Sequence, residues 1–510
     1  MLQRVTAVLA VSVLLAGAGY AQQPAKLFFA TTQVTPGDGN TGTPDRVVLA
    51  LWSSDQTGAA PKKLIDLEDP REVDWSPNGR YFAFVQPDKD QADHKRLWVM
   101  DCLNETTIAI SDKTQNAAAH FWADSSDKLV YLEGVSSVTP EADNRAATVQ
   151  GSFDVWVHSL APGGAAVRVN GDIRAAPASV VSSADGKYVA FAVSDETNAN
   201  QVAIADAGGG GAWKASGDLK VAFHQWSLVG SKLALMAQTQ AGILSLYVVS
   251  AQDKAVRRVS EPSHAVRGFS WRPGHEMLAY TVVAHGATAA TEAEPSVTFN
   301  RTLVYMADLS ADEPWLVTGI ANAAQLMWAP DGAHYAVTDL VEAPGGQVPT
   351  IRVGTCQGSL RVPILVRYST GVALFNWSPD SSRISFISQN NLWCFDSGTL
   401  RTDLVANSLI VRDVSWAPDS AHVLVLAPVE QNAIGAWSVD VAAGKGRLIS
   451  NGFQGGVVDW APDAKAVMLM LTRSQASADL YLLDPAGAPT DAKLVRQGVL
   501  TATWYPARTS

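Results

Sequence analysis

The stretch that decides the fold is Trp377-Ser-Pro-Asp-Ser381, which is followed by the apolar run Arg383-Ile-Ser-Phe-Ile387. Pro presets φ in a tight turn, Asp suits the next position, and the fourth residue after the Trp is often Gly, which tolerates positive φ. An apolar or alternating segment after such a turn is typical of a β-strand. Clear copies of this phrase begin at Trp75, Trp328, Trp377, Trp416 and Trp460.

The phrase recurs along the whole chain with a regular spacing. Weaker copies begin at Trp122, Ser182, Trp226, Trp271 and Trp504, which gives ten copies separated by 39 to 60 residues. A second strand of common form, apolar-aromatic-apolar-apolar-Asp, follows each turn, as in Leu392-Trp-Cys-Phe-Asp396. A repeat of forty-odd residues with several short strands is typical of four-stranded propeller blades. The sequence therefore predicts an all-β fold, a β-propeller of about ten blades.

The two ends of the chain complement each other. Residues 26–30, 46–52 and 62–65 match the second, third and fourth strands of a blade that lacks its first strand, and residues 499–504 match a first strand alone. The N-terminal strands are therefore expected to close the propeller with the C-terminal strand, which removes open sheet edges. Two smaller tandem propellers would keep the same strand phase and remain an alternative. A single ring is favoured because no Pro/Gly/Ser-rich linker interrupts the repeats.

The Trp-Ser-Pro-Asp-Gly phrase with its following strand resembles the WD40-like repeat of the TolB-type propeller family. The resemblance runs from about Lys26 to Pro506 and implies a fold but no particular function, since propellers host many activities. TolB itself carries an α/β domain ahead of its propeller, and the related peptidases carry an α/β-hydrolase domain. Neither is expected here, because about fifty residues separate the predicted signal peptide from Trp75 and six follow Trp504.

Residues 1–21 have the pattern of a signal peptide, which leaves 22–510 as the propeller. Arg4 supplies a positive start, residues 5–16 are apolar, and Gly19 and Ala21 are small residues before a cleavage site that follows Ala21. A periplasmic or secreted protein with no transmembrane segment after cleavage is therefore expected. The net charge of -11 argues against nucleic acid as a partner.

Motifs of catalysis are not found in the sequence. Gly268-Phe-Ser-Trp-Arg272 lacks the final Gly of a nucleophile elbow, and His275-Glu276 lacks the second His of a zinc-peptidase motif. No catalytic residue and no cofactor are predicted, and an enzyme is not the favoured interpretation. The three cysteines, Cys102, Cys356 and Cys394, are interpreted as small apolar strand residues in preference to a Cys356–Cys394 bridge.

Two sets of residues in the strands that lead into the repeat Trp are candidates for a site. His120 and His224 lie two residues before a Trp and are metal-ligand candidates, although apolar residues at the same position elsewhere favour core histidines. Glu72, Asp74, Asp413 and Asp459 lie one or three residues before a Trp. They could line an axial channel and attract a cation, whereas the alternative and favoured interpretation is that of solvated strand ends.

Two long repeats suggest where a ligand binds. Insertions at 134–152 and 284–300 lie between the second and third strands and carry the candidate binding residues Glu141, Asp143, Glu292 and Glu294. Variable loops on a rigid scaffold usually carry recognition. The expected function is that of a non-catalytic exported scaffold that binds a protein or other polymer on its insertion-bearing face. The alternatives are a metal-assisted carbohydrate lyase or hydrolase, or an accessory subunit of an enzyme complex.

Overall fold

The computed structural model describes residues 25–506, except for 36–45, 88–94, 112–116, 135–151, 194–199, 288–297, 312, 318–319, 321, 344–345, 357–363, 367–371, 407–410, 412, 431–432, 454–455 and 475–476. These residues form 39 strands, β1 to β39, and one 3-10 turn at Pro489–Asp491, with no α-helix among them. In the part of the chain so described, no helix has the length and apolar character needed to cross a bilayer. The predicted signal peptide at 1–21 lies outside the described residues.

The described residues fall into two compact units, and the first comprises residues 25–179 and 411–506. It contains three four-stranded antiparallel sheets and one sheet of seven strands. The four-stranded sheets are β4 (Arg71–Trp75), β5 (Tyr81–Pro87), β6 (Lys95–Asp101), β7 (Thr106–Ala109); β8 (Ala117–Trp122), β9 (Lys128–Glu133), β10 (Asp154–Ser159), β11 (Ala166–Arg168); and β32 (Asp413–Trp416), β33 (His422–Glu430), β34 (Ala433–Asp440), β35 (Lys445–Phe453).

The seven-stranded sheet brings the two ends of the chain together. Its strand order is β3-β2-β1-β39-β38-β37-β36. The 13-residue strand β39 pairs through its first part with β38 and through its last part with β1, where Leu27 lies opposite Trp504. One strand thus serves as the fourth strand of one group and the first strand of the next. The bounds are β1 (Lys26–Thr35), β2 (Arg46–Asp55), β3 (Lys62–Glu68), β36 (Gly456–Trp460), β37 (Val467–Ser474), β38 (Ser477–Leu483) and β39 (Lys493–Tyr505).

The second unit comprises residues 180–406 and contains five four-stranded antiparallel sheets, each in simple sequence order. The first of its strands, β12, begins just before the boundary between the units. The strands are β12 (Ala175–Ser182), β13 (Tyr188–Val193), β14 (Val202–Asp206), β15 (Ala212–Lys214); β16 (Lys220–Trp226), β17 (Lys232–Gln238), β18 (Leu244–Ser250), β19 (Val256–Arg258); β20 (Ala265–Trp271), β21 (Met277–Ala287), β22 (Thr298–Asp308), β23 (Trp315–Leu316); β24 (Ala323–Trp328), β25 (His334–Ala343), β26 (Gly346–Thr355), β27 (Ile364–Val366); and β28 (Val372–Trp377), β29 (Arg383–Ser388), β30 (Asn391–Asp396), β31 (Arg401–Ala406).

The repeated phrase forms the predicted tight turn between the first and second strand of each sheet. Its fourth position after the Trp or Ser182 has a positive φ of 57° to 74° in eight copies, at Gly79, Ser126, Gly186, Gly230, Gly332, Ser381, Ser420 and Ala464, and in the copy at Trp271 the third position, Gly274, has a φ of 71° instead. Side chains close the turn as well. The Ser378 hydroxyl donates to Asp380 Oδ1 at 2.6 Å and accepts from the Arg383 amide at 2.9 Å. Ser and Asp are therefore selected because they satisfy the polar groups of the turn.

The Trp of the phrase connects neighbouring sheets. In five copies its indole Nε1 donates to the carbonyl of the residue that precedes the corresponding Trp or Ser182 in the preceding sheet, at 3.0 to 3.4 Å. The ring packs into the apolar layer between the two sheets, as Trp226 does with Ala190 and Ile204. Each of these five Trp residues therefore contributes both apolar burial and a directional bond to the stacking of sheets. The five donors are Trp226, Trp271, Trp328, Trp377 and Trp460.

All three cysteines are free thiols. Cys102 and Cys394 are buried and Cys356 is half-buried, so the Cys356–Cys394 bridge that was weighed from the sequence is not formed. Burial raises the pKa of the Cys394 thiol to about 12, which keeps it protonated and unreactive at neutral pH. The buried cysteines are small apolar strand residues.

Candidate functional site

The predicted acidic residues all lie on first strands of the first unit, where "first strand" means the strand that ends at the repeat Trp. Glu72 and Asp74 on β4 and Asp413 on β32 are exposed, and Asp459 on β36 is half-buried. Desolvation by the surrounding protein raises the pKa of both Glu72 and Asp74 although their side chains reach solvent. That combination indicates carboxylates on a sheet face that water reaches but that nearby protein partly desolvates. Whether this surface binds a cation stays a prediction.

Glu72 occupies an irregular point of its strand. Between Arg71 and Asp74 the register of β4 against β5 shifts, and Glu72 has a φ of 50°. A positive φ is uncommon for a residue other than Gly, and a bulge of this kind redirects the side chains beside it. Similar register shifts occur in the first strands β8, β16, β20, β24 and β28. The bulge is therefore a recurring feature of first strands.

The two candidate histidines lie in different compact units and are half-buried among their first-strand neighbours. Burial lowers the pKa of His120 to about 4 and also lowers the pKa of His224. His120 Nδ1 and His224 Nε2 are buried without a protein hydrogen-bond partner, so the expected hydrogen-bonded core histidine is only partly realised. Tyr131, which lies opposite His120 on β9, donates its hydroxyl to the Ile110 carbonyl.

Metal-ligand chemistry was also considered for these strands. Among the described residues, no three His, Cys, Asp or Glu side chains come close enough together to hold a metal ion. Because burial lowers the pKa of both residues, His120 and His224 are neutral at neutral pH, and their assignment as metal ligands stays an untested prediction.

The candidate binding residues of the insertions, Glu141, Asp143, Glu292 and Glu294, lie outside the described residues. The strands that flank the insertions are described, and they place both insertions between the second and third strands of a sheet, β9 with β10 and β21 with β22. The β21–β22 ladder continues for four residue pairs beyond the last pair of β20 with β21, from Ala284–Arg301 to Ala287–Thr298. A two-stranded ribbon therefore projects from this sheet and carries the second insertion.

A pocket of about 350 Å³ lies between two adjacent sheets of the second unit, β20–β23 and β24–β27. Its polar lining residues include Arg272 and Asp308, and its apolar lining includes Trp315 and Val317. Arg272 occupies the position after the Trp, where the other copies have Ser, Ala or, after Trp504, Tyr505, and its Nε donates to the Gly332 carbonyl at 2.7 Å. Its guanidinium therefore connects the turns of the two sheets beside the pocket.

A second pocket, of about 250 Å³, lies in the first unit between the four-stranded sheet of β32 and strand β36. Its polar wall includes Asp413, one of the predicted acidic residues, and its apolar wall includes Leu424, Leu426 and Val457. Val457 is 61% exposed, a large fraction for an apolar strand residue. The sequence indicated Asp413 through its spacing from Trp416, but not these apolar residues, since only the packing of two sheets brings them together.

Comparisons with known proteins identify the fold and no family. No family model and no curated protein matches the chain. The crystal structure of the eukaryotic initiation factor matches 96% of this chain and all of its own length, with a TM-score of 0.50 and 12% identity, so the likeness extends to the fold alone. TolB from Acinetobacter baumannii matches 56% of this chain and 60% of its own (TM-score 0.26, 17% identity). The tricorn protease matches 94% of this chain and 63% of its own (TM-score 0.24, 11% identity). The structures similar to this chain thus include β-propeller proteins, and its four-stranded antiparallel sheets are consistent with propeller blades.

Proposed function

We propose that this chain is a non-catalytic β-propeller scaffold that binds a protein or other polymer through the connections between second and third strands. The proposal rests on where the chain departs from its repeat. The tight turns between first and second strands have a positive φ at the same position in eight copies, whereas the connections between second and third strands differ in length from sheet to sheet. Uniform turns serve the scaffold, and variable connections on a rigid scaffold serve recognition.

The projecting β21–β22 ribbon is the observation that carries this proposal. Four residue pairs lie beyond the reach of β20, and β23 pairs only near the opposite end of β22, at Tyr305 and Met306. The ribbon therefore extends past β20 on one side and past β23 on the other, and its backbone can donate to and accept from a partner. The insertion at its tip adds Glu292 and Glu294, and the insertion after β9 adds Glu141 and Asp143, as candidate contacts.

Export to the periplasm or the cell exterior is part of the same proposal. It is supported by the positive start, the apolar segment and the small residues before the Ala21–Gln22 bond. N-terminal sequencing of the protein recovered from the cell envelope tests it, with Gln22 expected as the first residue. Recovery of an uncleaved protein from the cytoplasm would contradict it.

The binding proposal is tested by shortening the ribbon. Residues 284–301 are replaced by Asn-Gly, and crosslinked partners of the full chain and of the variant are compared after photo-crosslinking in cell-envelope extracts. A matched variant shortens the β25–β26 hairpin, which also extends four pairs beyond its first strand but carries no long insertion. We expect the β21–β22 variant to lose a crosslinked partner that the β25–β26 variant keeps. Equal capture by both variants, with unchanged far-UV circular dichroism, would overturn the proposal.

A further inference from the structure

The pocket between β32 and β36 has the shape of a site for one long side chain. Its volume of about 250 Å³ is below the roughly 300–1,000 Å³ of sites for drug-sized ligands. Leu424, Leu426 and Val457 form its apolar wall, and the exposed Asp413 lies on its rim. An apolar slot with a single carboxylate at its edge matches an aliphatic stem that ends in a cation.

The hydrogen bonding of Asp413 distinguishes between the two basic side chains. The amide of Val414 donates to Asp413 Oδ1 at 2.8 Å, so this oxygen is already engaged. An Arg guanidinium prefers a carboxylate with both oxygens available for a bidentate pair, whereas a Lys ammonium is a compact charge that needs only one acceptor. The partly engaged carboxylate therefore favours Lys.

The strands beside the pocket indicate an extended segment. β36 lies at the edge of the seven-stranded sheet, and β32 lies at the edge of its own sheet. Gly456 and Val457, at the start of β36, are exposed at that edge next to the pocket. An extended peptide can pair its backbone with such an edge while one side chain enters an adjacent pocket.

The two first strands that border the pocket carry charge of the sign that attracts a basic partner. Asp413 on β32 and Asp459 on β36 are carboxylates, and these two strands contain no Lys or Arg. A negative surface raises the rate of encounter with a cationic segment, and the effect weakens with salt.

We propose that the pocket between β32 and β36 receives the Lys side chain of an extended basic segment of a partner protein. Its methylene stem packs against Leu424, Leu426 and Val457, and its ammonium pairs with Asp413. The inference rests on the proposed binding function and adds the chemistry of the partner.

The experiment measures binding of fluorescent capped peptides to the full chain by anisotropy. The probe has one central Lys between Thr and Val residues, and a matched probe has norleucine in place of Lys. We expect Asp413→Asn to weaken binding of the Lys peptide by about tenfold or more, as for loss of a hydrogen bond to a charged group. Asp66→Asn, which changes the same charge on the exposed strand β3, is the control and should leave binding within about twofold.

Three results would overturn the inference. Equal binding of the Lys and norleucine peptides, or unchanged binding by Asp413→Asn, would show that no ammonium pairs with this carboxylate. Competition by spermidine at the affinity of the peptide would show that the pocket takes a small amine and not a peptide segment. None of these three results bears on the β21–β22 ribbon, because the photo-crosslinking experiment tests the ribbon separately. Loss of partner capture on ribbon shortening with an Asp413-dependent peptide affinity would place the Lys pocket on a second binding surface.

Discussion

Gly332 shows how a single residue position holds two sheets in register. It has a φ of 68°, and a Cβ at this position would lie 2.3 Å from the Pro273 carbonyl oxygen in the turn of the adjacent sheet. Gly274, in that adjacent turn, has a φ of 71° but no atom within 4 Å of such a Cβ. Backbone conformation therefore favours Gly at both positions, and close packing excludes a larger residue at Gly332.

We expect Gly274→Ala to lower the free energy of unfolding by about 1–2 kcal/mol, the cost of a left-handed conformation with a Cβ. Gly332→Ala should lower it by more, about 3 kcal/mol or above, because it adds a clash with backbone that cannot move aside. Urea unfolding of the two variants measures the difference. Equal losses would show that the turns of the two sheets are not in close contact.

His120 makes stability depend on pH. Burial lowers its pKa from the ordinary 6.5 to about 4, so the folded state holds the neutral imidazole while the unfolded chain takes up a proton below pH 6.5. The contribution of the neutral histidine is fully present above pH 6.5 and is lost as the pH falls from 6.5 towards 4. His120→Phe, which places at this position the residue found at Phe269 and Phe375, should therefore reduce the acid sensitivity.

The measurement is the urea midpoint at pH 7 and at pH 5. The midpoint of the wild-type chain should fall more between these values than that of His120→Phe. His275→Gln alters an exposed histidine of a turn and should keep the wild-type difference. An identical pH dependence of wild type and His120→Phe would show that this histidine is not desolvated.

At the scale of the element, the repeat Trp offers a matched pair of residues. Trp271 and Trp504 are 2% and 1% exposed, yet Trp271 Nε1 donates to the Gln225 carbonyl at 3.1 Å while Trp504 Nε1 is buried without a partner. Replacement by Phe removes similar apolar bulk from both sites but a hydrogen bond from only one. The difference between the two variants therefore isolates the bond between sheets.

We expect Trp271→Phe to cost about 1 kcal/mol more than Trp504→Phe, since it leaves the Gln225 carbonyl without its indole donor. Thermal and urea unfolding followed by far-UV circular dichroism measure both variants. If Trp504→Phe is the more damaging, apolar packing and not the indole bond determines why the repeat selects Trp.

The sequence alone predicted most of these elements. The Trp phrase located the turns, because Pro, Asp and Gly restrict φ locally, and the strand after each turn followed from its apolar pattern. The acceptor of the Trp indole hydrogen bond could not be predicted from the sequence, since it is a backbone carbonyl and every residue has one. The residues of the insertions do not restrict the backbone in this way, because Ala, Thr and Ser at 284–300 fit many conformations. The sequence therefore predicted where the insertions lie in the repeat but not their conformation.

The candidate site was predictable only where it depends on one strand. Alternation along β4 and β32 predicts that Glu72, Asp74 and Asp413 lie off the core face, and the three residues are exposed, whereas their role in a channel stays a prediction. The apolar wall of the pocket near Asp413 comes from β33 and β36, and their proximity depends on how two sheets pack. The single-ring or two-ring arrangement remains a prediction for the same reason, because strand phase is identical in both.

At the scale of the whole molecule, the seven-stranded sheet makes both chain ends structural. Deletion of 26–66 removes β1, β2 and most of β3, and it exposes the apolar face that β1 covers on Trp504. We expect a lower urea midpoint and a broader transition for the first unit as a whole, because a paired strand in a packed sheet is lost.

Urea unfolding followed by tryptophan fluorescence and far-UV circular dichroism tests this expectation. A control variant replaces residues 36–45 by Asn-Gly, which keeps the β1–β2 pairing intact, and its unfolding should match that of the full chain. Cooperative unfolding of the 26–66 deletion at the wild-type midpoint would show that the N-terminal strands do not contribute to the stability of the first unit.

The pairing of β1 with β39 also determines when the seven-stranded sheet can be completed during synthesis. The ribosome makes β1 more than four hundred residues before it makes β39, so β1 has no partner on that side until β39 has been translated. A contact between residues so far apart in sequence forms late and slowly. A nascent chain that stops before β39 would therefore display the free edge of β1 to chaperones and proteases, and only a chain that includes β39 covers it.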